Sequence, residues 1–305
     1  MIEAVIGACI SLGALGMVLG SMERAFPARR QRFFRPEWGT DALFFLGQYF
    51  VFGGLTAFVL AKVDGCFGVA ALSGLRPWSA QIPLPLRALL ALALGDVCIY
   101  WFHRACHRFD FLWRFHAVHH SSERLDFLAA YREHPFDGVC TVLLLNLPGI
   151  AIGLPFEALG GLIAFRGAWA IFIHSNVRVP LGPLRVLFGA PELHHYHHAR
   201  VPRTLHNFAN LAPWLDVLFG TYYLPSEHES YELGLTDPWP RGYVAQLLRP
   251  FGIQARWLGA DQPPRSEAQS EAASAAPPST PAPQGLGGPV SGTGTLGGRF
   301  AGSTH

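Results

Sequence analysis

The sequence predicts an all-α protein, an integral membrane helical bundle with a cytoplasmic histidine-rich helical cap, and three observations lead there. Half of the 305 residues are hydrophobic and only 14% are charged, with a mean hydropathy of +0.24, the composition of a chain that lives in a bilayer. Uncharged runs of about 20 residues recur, each long enough to cross a hydrocarbon core at helical rise. Beyond their ends, histidines repeat at i, i+3 and i+4, offsets that bring side chains together on a helix. A net charge of +2, with arginines scattered between apolar runs, points to no nucleic-acid partner.

Residues 4–22 form the first span, and with Glu3 in place of a basic leader they read as a span and not a cleaved signal. Arg24, Arg29, Arg30, Arg32 and Arg35 follow and place that end in the cytoplasm, so the N-terminus is expected outside. Residues 42–61 are the second span, 62–86 the outer connection, and 84–103 the third span, interrupted by Asp96. Arginines at 104, 108, 114, 124 and 132 mark the inner side again. Residues 138–156, broken by Pro148 and Pro155, and 158–177, carrying one Arg166, reverse twice, so every histidine group is expected on one side. Residues 204–224 are a compact aromatic stretch, and 241–258 mix arginine with Leu, Phe and Trp as a surface-lying membrane segment does. This gives a membrane-embedded domain over 1–260 with a histidine core at about 90–225, and a disordered tail over 261–305 rich in Pro, Ala, Gly and Ser. The five cysteines form no CxxC and read as unpaired thiols, none a metal ligand.

Trp101 to His120 reads WFHRACHRFDFLWRFHAVHH and holds His103 and His107 at i, i+4, then His116, His119 and His120 at i, i+3, i+4. Two short helices are thus expected to aim five imidazoles at one spot, and His194, His197 and His198 repeat the second pattern downstream. Imidazole is the commonest ligand for metals near neutral pH. Eight or more nitrogen donors exceed what one ion uses, so two ions are the natural count; zinc lacks redox chemistry, whereas iron activates oxygen. No HExxH is present, which argues against a zinc protease.

With HxxxH, HxxHH and a later HxxHH in this order, the chain resembles the fatty acid hydroxylase and sterol desaturase superfamily over roughly residues 90–225. The resemblance is also carried by YREHPF, by FIHSNVR, and by NFANLAPWLDVLFGTY at 207–222. It implies a centre of two iron ions that uses O2 and electrons from an external transfer system to hydroxylate or desaturate a lipid or sterol-like substrate in the membrane. It also adds His134 and His174 as ligands. The chain departs from the family pattern where Leu205 stands two residues before Asn207 in place of an aspartate.

Several residues keep two readings. Asp96 is either an acceptor for a ligand histidine or a locally bonded group on its own helix. Glu133, Glu192 and Asp216 either orient imidazoles or are ordinary charges. His195, one position off its box, is expected behind the ligands, as is Asn207, whereas His206, His228 and His305 are not expected to ligate. Gly153 and Gly161 are guesses at the lining of an apolar passage for the substrate. The rival function is a histidine-rich membrane metal transporter or metal-binding protein, which would place its ligands near the midplane of several spans. No haem, flavin or dinucleotide motif is visible, so the first reading needs its electrons from outside.

Overall fold

A computed structural model describes residues 2–69, 75–226 and 229–253, so the expected tail and His228 and His305 lie outside the described residues. Among these residues the secondary structure is helical, with isolated bridges joining Pro27 to Val177 and Ala199 to Leu233. The described residues fall within one compact unit. Among the described residues, four helical stretches are long and apolar enough to cross a membrane: Val5–Ala25, Trp38–Cys66, Leu84–Arg108 and Phe156–His174. Most of their surface faces outward, Met17 being 73% and Ile10 65% exposed, which suits a hydrocarbon surround and no aqueous one.

The first span lies in α1 (Ile2–Ala25). The second runs through α2 (Trp38–Gly47), a π turn at Gln48–Phe52, and α3 (Gly53–Val69). After the short α4 (Leu75–Ser79), α5 (Leu84–Arg108) begins with proline in its first turn, where no N–H is missed, and continues unbroken for 25 residues. His103 and His107 therefore ride on the last turns of a span and not on a short helix of their own. Extended Phe109 (φ −106°, ψ 125°) breaks the helix, and α6 (Asp110–His120) starts one residue later.

α7 (Pro135–Ala151) opens on Pro135, and the His134 side chain caps it by accepting from Phe136 N at 3.1 Å. At 17 residues α7 falls short of a full span. A turn with Gly153 in the left-handed region (φ 67°) leads to α8 (Phe156–His174), so the two apolar segments around Pro148 and Pro155 form a helical hairpin. Leu60 of α3, Ala91 of α5, Ile150 of α7 and Leu159 of α8 form its core. α9 (Arg185–Phe188), α10 (Pro191–His197), α11 (Trp214–Leu218) and α12 (Tyr243–Leu248) complete the cap.

The last stretch, described over residues 241–253, is anchored on the protein along one side. Tyr243 packs edge-on to Phe44 of α2 at 4.8 Å, Gln246 is fully buried and accepts from Ser121 Oγ at 3.2 Å, and Phe251 packs on Phe115 and His134. Val244, Phe251 and Ile253 nevertheless stay 48%, 61% and 48% exposed, so the segment packs on the protein along one side and keeps an apolar face outward. The early arginines also divide. Arg35 is buried between Asp126 and Asp41, at 2.6 Å from each, and Arg132, wholly buried, bonds Asp41 and Glu37 at 2.5 and 3.1 Å. Two residues read as topological charges are thus the cations of a buried ion-pair network at the cap end of α2.

Candidate metal centre

Nine histidines converge at one end of the bundle in two groups. His103, His107, His116, His120 and His197 form the first, and His119, His174, His194 and His198 the second; within each group one ring nitrogen per residue lies within 4.8 Å of all the others. Each HxxHH box splits between the groups. His116 and His120 enter the first group and His119 the second, whereas His194 and His198 enter the second and His197 the first. The expected single focus for five imidazoles is corrected here, and helical geometry gives the reason. At about 100° per residue, i+4 lies about 40° to one side of i, and i+3 about 60° to the other. An HxxHH turn wedged between two ions thus serves both.

The rings are held from behind. His103 Nδ1 donates to Phe208 O at 2.7 Å, His119 Nδ1 to Arg132 O at 3.0 Å, His174 Nδ1 to Ala170 O at 2.7 Å, and His197 Nδ1 to His206 O at 2.8 Å. His116 Nδ1 meets Asp137 Oδ2 at 2.7 Å. A carbonyl only accepts, so each of those Nδ1 atoms carries the ring's proton and, in a neutral ring, leaves Nε2 bare. Nε2 of His103 and His197 is buried with no partner. Nε2 of His119 and His174 face each other at 3.1 Å, two lone pairs with no hydrogen between them. Nε2 of His174 and His194 stand 2.9 Å apart, and Nε2 of His194 and His198 3.1 Å. Two donors each about 2.1 Å from a shared ion and at right angles are about 3.0 Å apart. The donor set fits metal ions, and the facing lone pairs have no other evident resolution.

Electrostatics keeps the donors neutral. Burial, reinforced by neighbouring imidazoles, holds His120, His194, His197 and His198 well below the usual histidine range. It lowers His119 to about 4, with His116 adding to the effect. Neutral imidazole is the form that ligates.

The remaining candidates fall elsewhere. His134 lies outside both groups, occupied in capping α7 and packed on Phe115. His195 points its Nε2 at the carbonyls of Ser175 and His174, at 3.1 and 3.3 Å, and so holds the turn after His174. Asn207 sits in the left-handed region (φ 57°), which asparagine tolerates. Its amide bonds Leu193 O, Tyr223 O and Tyr223 N, fixing the loop whose flanking carbonyls, His206 O and Phe208 O, grip His197 and His103. Asp216 accepts from Phe208 N, Ala209 N and Thr221 Oγ1 and thus pins the same loop without touching an imidazole. His206 supplies only its carbonyl. Glu192 pairs with Arg185 at 2.5 Å.

Asp96 answers to neither earlier reading: its partner is Arg166 of α8, Nη2 to Oδ1 at 3.4 Å, a cross-helix pair inside the membrane segments. Both bury a charge in the bundle, and each accounts for the other. Glu133 bonds Gln48 of the π turn at 3.3 Å, and burial, with Asp137 adding to it, pushes its carboxyl up to about 8. The residue absent from the sequence reading is Asp137, in the first turn of α7, which receives His116 and lies 3.9 Å from Cys106 Sγ. The described cysteines are all free thiols.

A cavity of about 240 Å³ opens against His103, His116, His119, His174 and His194 and runs between α5, α7 and α8. Ile99, Val142, Leu145 and Ile163 line its flanks. Gly153 and Gly161 are not among its lining residues: Gly153 faces Arg76, and nothing lies within 4 Å of a Cβ placed at Gly161.

Residues 88–221, a little under half of the chain, match the family model for fatty acid hydroxylase. Among its relatives is the ornithine lipid hydroxylase OlsE of Rhizobium tropici, 34% identical over 184 residues, which are 59% of this chain and 54% of that protein. The human alkylglycerol monooxygenase is 31% identical over 144 residues, 47% of this chain and 32% of the relative. The Delta(7)-sterol 5(6)-desaturase erg3B of Aspergillus fumigatus is 28% identical over 181 residues, 58% and 50% of the two chains. The chain thus spans from a third to about half of the length of these relatives. No solved structure matches it.

Proposed function

We propose that this chain is a membrane-bound di-iron oxidoreductase that uses O2 and external electrons to hydroxylate or desaturate a lipid or sterol-like substrate. The observation that carries the reading is the pair of imidazole groups, with the unprotonated Nε2 atoms of His119 and His174 facing each other in the second and those of His103 and His197 buried without a partner in the first. His103, His107, His116, His120 and His197 would hold one ion, and His119, His174, His194 and His198 the other. An iron pair there supplies oxygen-dependent oxidation of an unactivated C–H bond.

The chain's own groups do the rest. Asp137 keeps the His116 proton on Nδ1, and the carbonyls of Phe208, Ala170, Arg132 and His206 do the same for their rings, which fixes each tautomer and aims each Nε2. Glu133, whose carboxyl is pushed up by burial and by the neighbouring Asp137, shares the cavity wall with Asp137. Ile99, Val142 and Ile163 offer hydrocarbon to a lipid chain. The ligands sit at the ends of α5 and α8 and not at their middles, which favours an enzyme over a transport path. The positive-inside rule, applied to Arg104, Arg108, Arg114, Arg124, Arg200 and Arg203 at this end, supports a cytoplasmic site.

Purified protein loaded with iron, placed in vesicles with a reducing system and a bacterial lipid extract, should yield lipid products heavier by one oxygen or lighter by two hydrogens. Metal movement across the vesicle with no lipid product would reverse the assignment in favour of transport.

A further inference from the structure

The cavity beneath the histidines does not end in hydrocarbon. At about 1.5 Å per residue, Asp96 lies about 10 Å below His103 along α5, and Arg166 about 12 Å below His174 along α8. Arg166 Nη2 meets Asp96 Oδ1 at 3.4 Å and Nη1 donates to Leu145 O at 3.0 Å, which brings Asn146 of α7 to the same depth. Gly95 makes the arrangement possible, since a Cβ there would stand 2.5 Å from Arg166 Nη2 and against Leu145 O. Asp96, Asn146 and Arg166 all line the cavity and form its polar floor, with Trp169 nearer the histidines.

That floor has unused hydrogen-bonding capacity. Asn146 is 2% exposed; its Nδ2 donates to Val142 O at 2.8 Å, which fixes the amide orientation and leaves Oδ1 buried with no partner. Trp169 Nε1 and Asn210 Oδ1, from two further lining residues, are also buried and unpartnered. A bare amide oxygen within apolar helices costs on the order of 1–3 kcal/mol unless something donates to it. The free set comprises acceptors on Asn146 and Asn210 and a donor on Trp169. The charges of Asp96 and Arg166 offset each other, so a ligand with net charge would bring an uncompensated one.

We propose that this cavity binds a lipid bearing a neutral hydroxyl or secondary amide, which donates to Asn146 Oδ1 and accepts from Trp169 Nε1, so that a polar anchor sets which carbon lies at the metal centre. A plain hydrocarbon leaves all these groups unpaired, and an ether can accept but not donate. The inference takes the cavity as the substrate's place and in that respect rests on the lipid-oxidising reading; its test needs no turnover.

Four probes of one chain length, dodecanol, N-methyl dodecanamide, dodecane and dodecyl methyl ether, are titrated against the iron-loaded full chain, and dissociation constants are measured. Dodecanol and the amide should bind about tenfold more tightly than dodecane, the worth of roughly one buried hydrogen bond, with the ether below both polar donors. Asn146→Leu should bring the alcohol to the level of the alkane at unchanged iron content, and Trp169→Phe should remove part of the preference. Equal binding of all four probes to the wild type, or a preference that survives both substitutions, overturns the anchor. If Asn146→Leu does not fold, the wild-type series and Trp169→Phe decide alone. A preference that follows these residues in a chain that oxidises no lipid keeps the anchor and removes the proposed activity.

Discussion

The two histidine groups are built differently, although the same two boxes feed both. The first draws His103 and His107 from the end of a span, His116 and His120 from α6, and His197 from α10, and its His116 is backed by a carboxylate, Asp137. The second takes only His119, His194 and His198 from the boxes and completes itself with His174, the last residue of α8. Two of its rings are backed by carbonyls, His174 by that of Ala170 and His119 by that of Arg132, whose guanidinium is locked in the ion-pair network with Asp41. A box motif therefore does not define a metal site. It defines a turn of helix shared by two sites, and a further element decides each one.

The largest expected effects come from breaking one group at a time. His120→Ala should empty the first site and His174→Ala the second, each leaving about one equivalent of metal by elemental analysis. Loss of both ions from either variant would show that the groups are one cooperative site. Next, Asp41→Asn leaves Arg35 and Arg132 short of a buried counter-charge, and the resulting loss is expected at about 3–5 kcal/mol. Chemical unfolding of the metal-free protein measures it, and metal retention should weaken at the second group before the first.

Asp137→Asn is expected to lower metal affinity about 10- to 100-fold, as loss of a carboxylate behind a ligand histidine does. The effect should fall on the first group alone, as a competitive chelator titration would reveal. Acid acts more gently. Burial, with the positive charge of Arg29 adding to it, lowers His195 to about 4. Between roughly pH 6.5 and 4 the unfolded chain thus binds a proton that the folded chain refuses, so the stability His195 contributes is present above that window and lost as pH falls through it. Thermal melting of the metal-free protein should fall less steeply over this range in His195→Gln than in the wild type. Smallest of all, His134→Ala should keep both metal equivalents and cost about 1 kcal/mol as a lost helix cap.

The sequence makes the spans and the three boxes legible because each depends on near neighbours: hydrophobic runs and offsets of three and four. The second span reaches beyond 42–61, to Trp38–Cys66, and the π turn at Gln48–Phe52 inside it leaves no mark in its hydropathy. What depends on distant partners is not legible. His116 finds Asp137 across 21 residues, Asp96 finds Arg166 across 70, and Arg35 finds Asp126 across 91. His174 stands in no box, and only the family resemblance points to it. His134 shows the converse: the proline after it makes it a natural cap, a local role that the His-Pro pattern does not separate from ligation. Periodicity also gives a helix face without its depth, which is why an apolar lining is expected where a polar floor lies.

The central claim is that nine histidines form two sites. Its most direct test is the metal content of iron-loaded wild-type protein measured beside His119→Ala and His197→Ala, the two box residues that each stand apart from the i, i+4 pair of their own box. The account requires two equivalents in the wild type and about one in each variant, missing from opposite sites, so that the double variant holds none. One equivalent in the wild type, or two retained in either single variant, would contradict it.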